Sequence, residues 1–405
     1  MKKLMMMAMM LVAGATAFAG DSDALKAVMK CKNYAEAAQL MKSNVDQMAD
    51  AAEKAKAYNH LVDLAMSKVS NETGIMAENQ AALQLGQGKQ KPYDTIALAD
   101  GICEAIEAAI ECDKYDQQPN AKGKIAPKFA EKNAQRIWAV RSHLVNIGQE
   151  AARNGQSENV LKYWGAFTDS GAAPFFAAQD HNPEKEYAGQ VAYFAGRYAF
   201  DAKDMDRAYK YLDIAMKDES QRTEALNFKL YVMRSNLKNR EDSLACINRF
   251  KELYEADPTN EVVLDGLYAM YDGLKMKEAQ KDLLDNHLAK YPDSFTATAE
   301  KGMMAIAENN AEEGANWLRK AAALKPENAV VQTYLGTCLN VIAGNTDDAA
   351  KRKATFEEAV KALDRAKELD PDKTQANWGY NRYQAYYGLY GEEDARTKQA
   401  EADMR

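Results

Sequence analysis

Along nearly the whole chain apolar residues recur at intervals of three and four, and no alternation of period two is sustained. The pattern predicts amphipathic helices and no strands. Towards the N-terminus it is plainest from Ala57 to Val69 and from Thr95 to Ile110, with shorter helices expected from Asn33 to Ala37 and from Asn154 to Phe167. Breaks rich in Gly, Pro and polar residues predict loops at Leu85 to Gly88 and at Gln117 to Lys124, and Pro174 to Pro183 reads as a linker. The fold class expected is all-α.

Proline adds a longer period. Pro258, Pro292 and Pro326 stand at two successive intervals of 34, each just past an apolar helix end. Counting back from Pro326 gives Ala321, Leu318, Gly314 and Gly302; from Pro371 the same offsets give Ala366, Leu363 and Ala359. Ser220 leads to Ala215, Leu212, Ala208 and Gly196, and Pro258 leads to Leu253, Phe250 and Cys246. Small residues at these places let the two helices of a hairpin approach closely, the apolar residue fills the gap between them, and proline stops the second helix.

These segments resemble tetratricopeptide repeats, most clearly from Val191 to Ala208, in Tyr334-Leu335-Gly336 and from Phe356 to Pro371. The resemblance covers residues 185–405 and implies a right-handed superhelical array of antiparallel helix pairs whose first helices line a concave face. Two departures stand out: Gln280 occupies a small-residue position, and Pro326 to Pro371 is 45 residues, with the surplus eleven near Gly344 to Arg352. The organisation expected is a leader over 1–19, a helical region of degenerate repeats over 20–124, a further degenerate repeat and linker over 125–184, and the array over 185–405 with capping C-terminal helices.

The leader changes the compartment. Lys2-Lys3, an apolar stretch from Leu4 to Ala19 and the small-x-small Ala17-Phe18-Ala19 read as a secretory signal, so an exported, periplasmic bacterial protein is expected. Gly20 follows the cleavage site in place of a lipidated cysteine, and no later segment is apolar enough to span a membrane. A formal charge of -8 opposes nucleic-acid partners, which need a concentrated basic face. Five cysteines cannot all pair with one another; Cys103 and Cys112 lie on opposite sides of one helix, and Cys246 and Cys338 read as core thiols. The four histidines are scattered and no phosphate loop, nucleophile elbow or metal motif occurs, so no enzyme activity, metal or cofactor is expected.

What remains is aromatic and basic. If the resemblance holds, Tyr193, Arg197 and Phe200 share the exposed face of one first helix, Phe228, Tyr231 and Ser235 that of the next, and Trp378, Arg382 and Tyr386 that of the last pair. Such faces suit a partner peptide or helix, because aromatics bring area at low rotamer cost and Arg grips carboxylates. An aromatic stripe at helical spacing, such as Tyr380, Tyr383, Tyr387 and Tyr390, also suits interhelical packing. The Lys/Asn carboxylate clamp of some repeats of this family is absent, its places being held by Tyr193 and Arg197, Tyr231 and Ser235, Asp265 and Ala269, and Ala299 and Met303. The function expected is a non-catalytic protein-binding scaffold; the alternative is capture of a glycan or small molecule between the N-terminal helices and the array, for which exposed tryptophans would serve, although of Trp138, Trp164, Trp317 and Trp378 the second and third read as buried by their helical spacing.

Overall fold

A computed structural model describes residues 21–86, 89–119, 123–235 and 237–404. The proposed leader lies outside them. The described residues are helical with no strand, and none of their helices is long and apolar enough to cross a membrane. Two compact units divide between Val232 and Met233.

The first unit holds α1 (Asp23–Met29), α2 (Tyr34–Asn44), α3 (Ala51–Gln84), α4 (Thr95–Asp116), α5 (Ala130–Arg141), α6 (His143–Arg153), α7 (Ser157–Ala172), α8 (Ala188–Asp201), α9 (Met205–Ala215) and most of α10 (Arg222–Ser235). Side-chain oxygens of Asp50, Asp94 and Asp204 start α3, α4 and α9 by accepting an amide hydrogen three residues on. The helices α3 and α4 are longer than their sequence cores and form the broadest pairing of the unit. A Cβ at Gly101 would sit 3.3 Å from the Ala65 carbonyl oxygen, so that crossing is nearly backbone on backbone. The linker contains short 3-10 turns at Pro174–Phe176 and Asn182–Glu184.

One buried pair ties the linker down. Arg141, with no exposed surface, bonds through Nη1 to both Glu184 carboxylate oxygens, through Nε to Ser170 Oγ at 3.0 Å and through Nη2 to the Phe167 carbonyl at 2.8 Å. Its guanidinium also lies 4.1 Å from the ring centroids of Trp138 and Phe167. Every donor group therefore has a partner in a place closed to water.

The second unit continues with α11 (Arg240–Ala256), α12 (Glu261–Gly273), α13 (Lys277–Lys290), α14 (Phe295–Ala307), α15 (Ala311–Leu324), α16 (Ala329–Gly344), α17 (Ala349–Leu369), α18 (Gly379–Tyr390) and α19 (Ala395–Met404). Pro292, Pro326 and Pro371 each stand two residues past a helix end, as the period predicts. The small positions do what their spacing implies. A Cβ on Gly196 would meet Leu212 Cγ at 2.9 Å, one on Gly302 would meet Leu318 Cγ at 2.7 Å, and one on Gly336 would strike Leu363. Ala208, Ala215, Ala321, Ala359 and Ala366 are fully buried, and Gly314 backs onto the Gly302 carbonyl. Gln280 is also buried, its Nε2 3.4 Å from Asp272 Oδ1. The surplus residues before Pro371 form no long loop: α16 has 16 residues and α17 has 21, against 13 and 14 in α14 and α15.

The turns inside the hairpins share a device the sequence does not advertise. Gly155, Lys203, Lys275 and Asn309 have φ between 58° and 70°. After each, the next amide reaches back to a carbonyl five residues earlier, as in Asp204 to Ala199, Met276 to Tyr271 and Asn310 to Ala305. A lysine is strained in this left-handed region and glycine is not. Lys275→Gly should therefore raise the stability of the second unit by about 0.5–1 kcal/mol in urea denaturation; a loss would show that the Lys275 side chain contributes more than its backbone strain costs.

Candidate functional site

On α8, residues 193, 197 and 200 fall on one stripe while Ala192, Ala195 and Ala199 on the other side are fully buried against the unit. On α10, Phe228 and Tyr231 stand out in the same way from buried Ala225 and Val232. The two stripes meet. The Phe228 ring lies 5.6 Å from Phe200, 6.1 Å from Tyr193 and 5.7 Å from Tyr231, and Phe200 lies 5.8 Å from Tyr231. The Arg197 guanidinium sits 5.6 Å from the Phe228 centroid and 6.0 Å from that of Tyr193. Tyr231 is 52% exposed, Arg197 and Ser235 are exposed, and the other three rings are half-buried. The result is a preformed aromatic surface crossed by a cation, held mostly edge-to-face, where rings attract beyond their area.

The third part of the expected face is a correction. Trp378 is 1% exposed and its Nε1 donates to the Asp370 carbonyl at 2.7 Å. Arg382 bonds through Nε to Asp364 at 2.7 Å and through Nη1 to Asp403 at 2.8 Å, while the Tyr386 hydroxyl donates to Asp364 at 2.8 Å. Both side chains are buried. These three residues hold α18 against α17 and α19 and offer nothing to a partner. The surface of α18 carries the tyrosines instead: Tyr380 is 54% and Tyr387 48% exposed.

Among the described residues of the first unit, two cavities bear on the alternative expectation. The larger, about 860 Å³, opens among α4, α7, α8 and α9, where capture by the N-terminal helices was the alternative expectation. Three of its lining charges are paired, Lys162 with Asp100 at 2.7 Å, Arg207 with Asp204 at 2.6 Å and Asp169 with Lys210 at 2.7 Å, and the lining also holds the acids Glu107, Glu158 and Asp201. No tryptophan lines it, and none lines the second cavity of about 480 Å³ beside the linker. Trp164 is buried with its Nε1 on the Val145 carbonyl at 3.0 Å, and Trp138 packs on His181 at 4.5 Å between centroids.

The second unit contains a carboxylate cluster that the sequence reading passed over. Asp265, Tyr268 and Asp272 are spaced three and four apart on α12, beside Glu300 of α14. Burial, with repulsion from Asp265 and Asp272 outweighing the hydrogen bond from the Tyr268 hydroxyl, pushes the Glu300 carboxyl up to about 7. The spacing on α12 was legible; the approach of Glu300 was not. A carboxyl raised on folding binds its proton more tightly in the folded state, so stability falls as pH rises from about 4.5 to about 7. Glu300→Gln should then stabilise the second unit by about 1–3 kcal/mol at pH 8 and by little at pH 4, a contrast that melting curves at the two values will read.

All five cysteines are free, and burial pushes the thiols of Cys103 and Cys112 up to about 12 and that of Cys338 to about 11, so they stay protonated at neutral pH. His287 is buried and bonded at 2.8 Å to the Tyr254 hydroxyl; burial pulls its pKa down. Among the described residues no group of three His, Cys, Asp or Glu side chains could hold a metal ion.

No protein-family model and no curated protein matches this chain. Solved structures that resemble it include the human IFIT1 dimer with PPP-AAAA, 12% identical over 92% of this chain and 84% of that one with a TM-score of 0.26. The human IFIT1 dimer with m7Gppp-AAAA is 15% identical over 91% and 83%, with a TM-score of 0.27. A circular tandem repeat protein is 14% identical over 94% and 84%, with a TM-score of 0.21. Similarity this weak carries no argument about what the present chain binds. The all-α class rests on the helix pairs described above.

Proposed function

We propose that this chain is an exported, non-catalytic helical-repeat scaffold that binds a segment of another protein on the aromatic face of α8 and α10. The observation that carries the reading is the convergence of Tyr193, Arg197, Phe200, Phe228 and Tyr231, side chains from two helices held in mutual ring contact with Arg197 and Tyr231 still open to solvent. Aromatic and arginine anchors of this kind supply most of the free energy of protein interfaces. The acidic balance of the chain supports a protein partner over a phosphate-rich one. The leader-like N-terminus supports placing the encounter in the cell envelope.

Capture from envelope fractions with chemical crosslinking should recover a defined protein. In the Arg197→Ala/Tyr231→Ala variant its retention should drop about tenfold or more while the melting temperature falls only slightly, since both side chains are exposed. Equal recovery by the variant would remove this face from the interaction.

A further inference from the structure

Tyr380, Tyr383, Tyr387 and Tyr390 recur at intervals of three and four on α18, turned away from fully buried Ala385. Tyr380, Tyr387 and Tyr390 are exposed and Tyr383 is half-buried, so the stripe is not interhelical packing. From Tyr380 to Tyr387 it runs about 10 Å along the helix, the rise of seven residues. The Tyr383 and Tyr387 rings lie 6.0 Å apart between centroids, tilted by 44°.

One end of this stripe already holds a cation. The Arg396 guanidinium lies 3.3 Å from the Tyr390 ring centroid, and both Asp394 carboxylate oxygens accept from it, each at 2.9 Å. Further along, the same ingredients recur without the guanidinium. Partial removal from water, then the charges of Glu401 and Glu392, raise the pKa of the Tyr383 hydroxyl, so both acids act on that ring. Both are exposed, and neither has an ion pair or a hydrogen bond among the described residues. Lys398, on the same α19 as Arg396, is held by Glu393 at 2.7 Å. Among the described residues no cation sits over Tyr383 or Tyr387, although an aromatic face attracts one within about 6 Å.

We propose that this face of α18 docks an arginine of another polypeptide, its guanidinium over Tyr383 and Tyr387 with Glu392 and Glu401 taking its charge. The surface is separate from the one on α8 and α10. Arginine suits it better than lysine, because a planar guanidinium lies flat on a ring and still offers paired N–H groups to a carboxylate, as Arg396 does beside Tyr390. The formal charge of -8 favours a basic partner over the whole approach. The face is open, and free small molecules are held in cavities that bury most of their surface; a segment lying along the stripe covers Tyr380 as well.

Fluorescence anisotropy on the full chain tests this with a dye-labelled peptide, Gly-Ser-Gly-Arg-Gly-Arg-Gly-Ser-Gly, and its counterparts carrying lysine or citrulline, the uncharged isostere, in place of arginine. The arginine peptide should bind with a Kd of about 10–100 μM, the lysine peptide several-fold more weakly and the citrulline peptide about tenfold more weakly or worse, with free arginine a poor competitor. Glu392→Gln/Glu401→Gln should weaken the arginine peptide about tenfold and move the melting temperature little, both side chains being exposed. Tyr383→Ala/Tyr387→Ala should lose it to the same extent while Tyr383→Phe/Tyr387→Phe keeps it, which separates the ring faces from the hydroxyls and from any loss of fold. Arg197→Ala/Tyr231→Ala should bind it as the unaltered chain does. No saturable binding at about 0.5 mM chain, equal affinity for the lysine or citrulline peptide, equal competition by free arginine, or full affinity in the glutamine or alanine double variant would overturn the proposal.

Discussion

Arg141→Met lowers the stability of the first unit by about 3–5 kcal/mol, the cost of stranding a buried acid. Glu184 is 7% exposed, and the arginine is its only cationic partner among the described residues. Methionine matches the length of the lost stem and returns some packing against Trp138 and Phe167, but none of the donors to Glu184, Ser170 and the Phe167 carbonyl. Urea denaturation followed by tryptophan fluorescence checks this, since Trp138 lies beside the pair. Adding Glu184→Leu to the same chain should recover most of the loss, because an apolar pair of similar volume avoids the desolvation that both charges suffer. A single variant that loses less than about 1 kcal/mol would mean that water reaches Glu184 and that the linker is pinned by something else.

Trp378→Ala removes the largest fully buried side chain and destabilises the second unit by about 3–5 kcal/mol. The indole fills the space under Asp370, whose carboxylate collects the amides of Thr374, Gln375 and Ala376 at 2.8–2.9 Å and orders the turn into α18. Burial alone would raise the Asp370 carboxyl, but these amides, with the Thr374 hydroxyl, outweigh it and hold the pKa below the ordinary value. That contribution is present above the unfolded-state value and is lost as pH falls through the folded one. Helical circular dichroism against urea will show the transition of Trp378→Ala at much lower denaturant, with that of Tyr231→Ala moved far less. An unshifted midpoint for Trp378→Ala would return the indole to the surface.

The contrast between these two aromatics shows where sequence periodicity stops. It places Tyr193, Arg197 and Phe200 on one stripe and Phe228 and Tyr231 on the matching stripe of the next repeat, and those stripes meet. It equally groups Trp378, Arg382 and Tyr386, correctly as one face, but it does not say which face a later helix will cover. The short polar α19 supplies Asp403 to Arg382, and a ten-residue helix with Thr397 and Ala400 as its buried residues gives little apolar signal to foresee it.

The glycine–leucine contacts were legible because each lies within one hairpin. Gly196 and Gly302 meet the leucine 16 residues on; Gly336 meets Leu363 after 27, and the eleven extra residues extend the helices while keeping the register of the contact. Arg141 and Glu184 are 43 residues apart across an irregular linker, where no period applies. The left-handed lysines were hidden for a different reason: lysine is no turn signal, and the Schellman hydrogen bonds impose the conformation on it.

Site-specific photocrosslinking most directly tests the claim that the aromatic face of α8 and α10 receives another protein. A benzophenone amino acid would replace Tyr231 in the full chain, expressed in its own host cells, with Tyr380 as the second position. The account predicts a discrete protein adduct from position 231 that disappears when Arg197→Ala is added, and none of that adduct from position 380. Adducts at 380 in place of 231, or none at 231 under any growth condition, would contradict it.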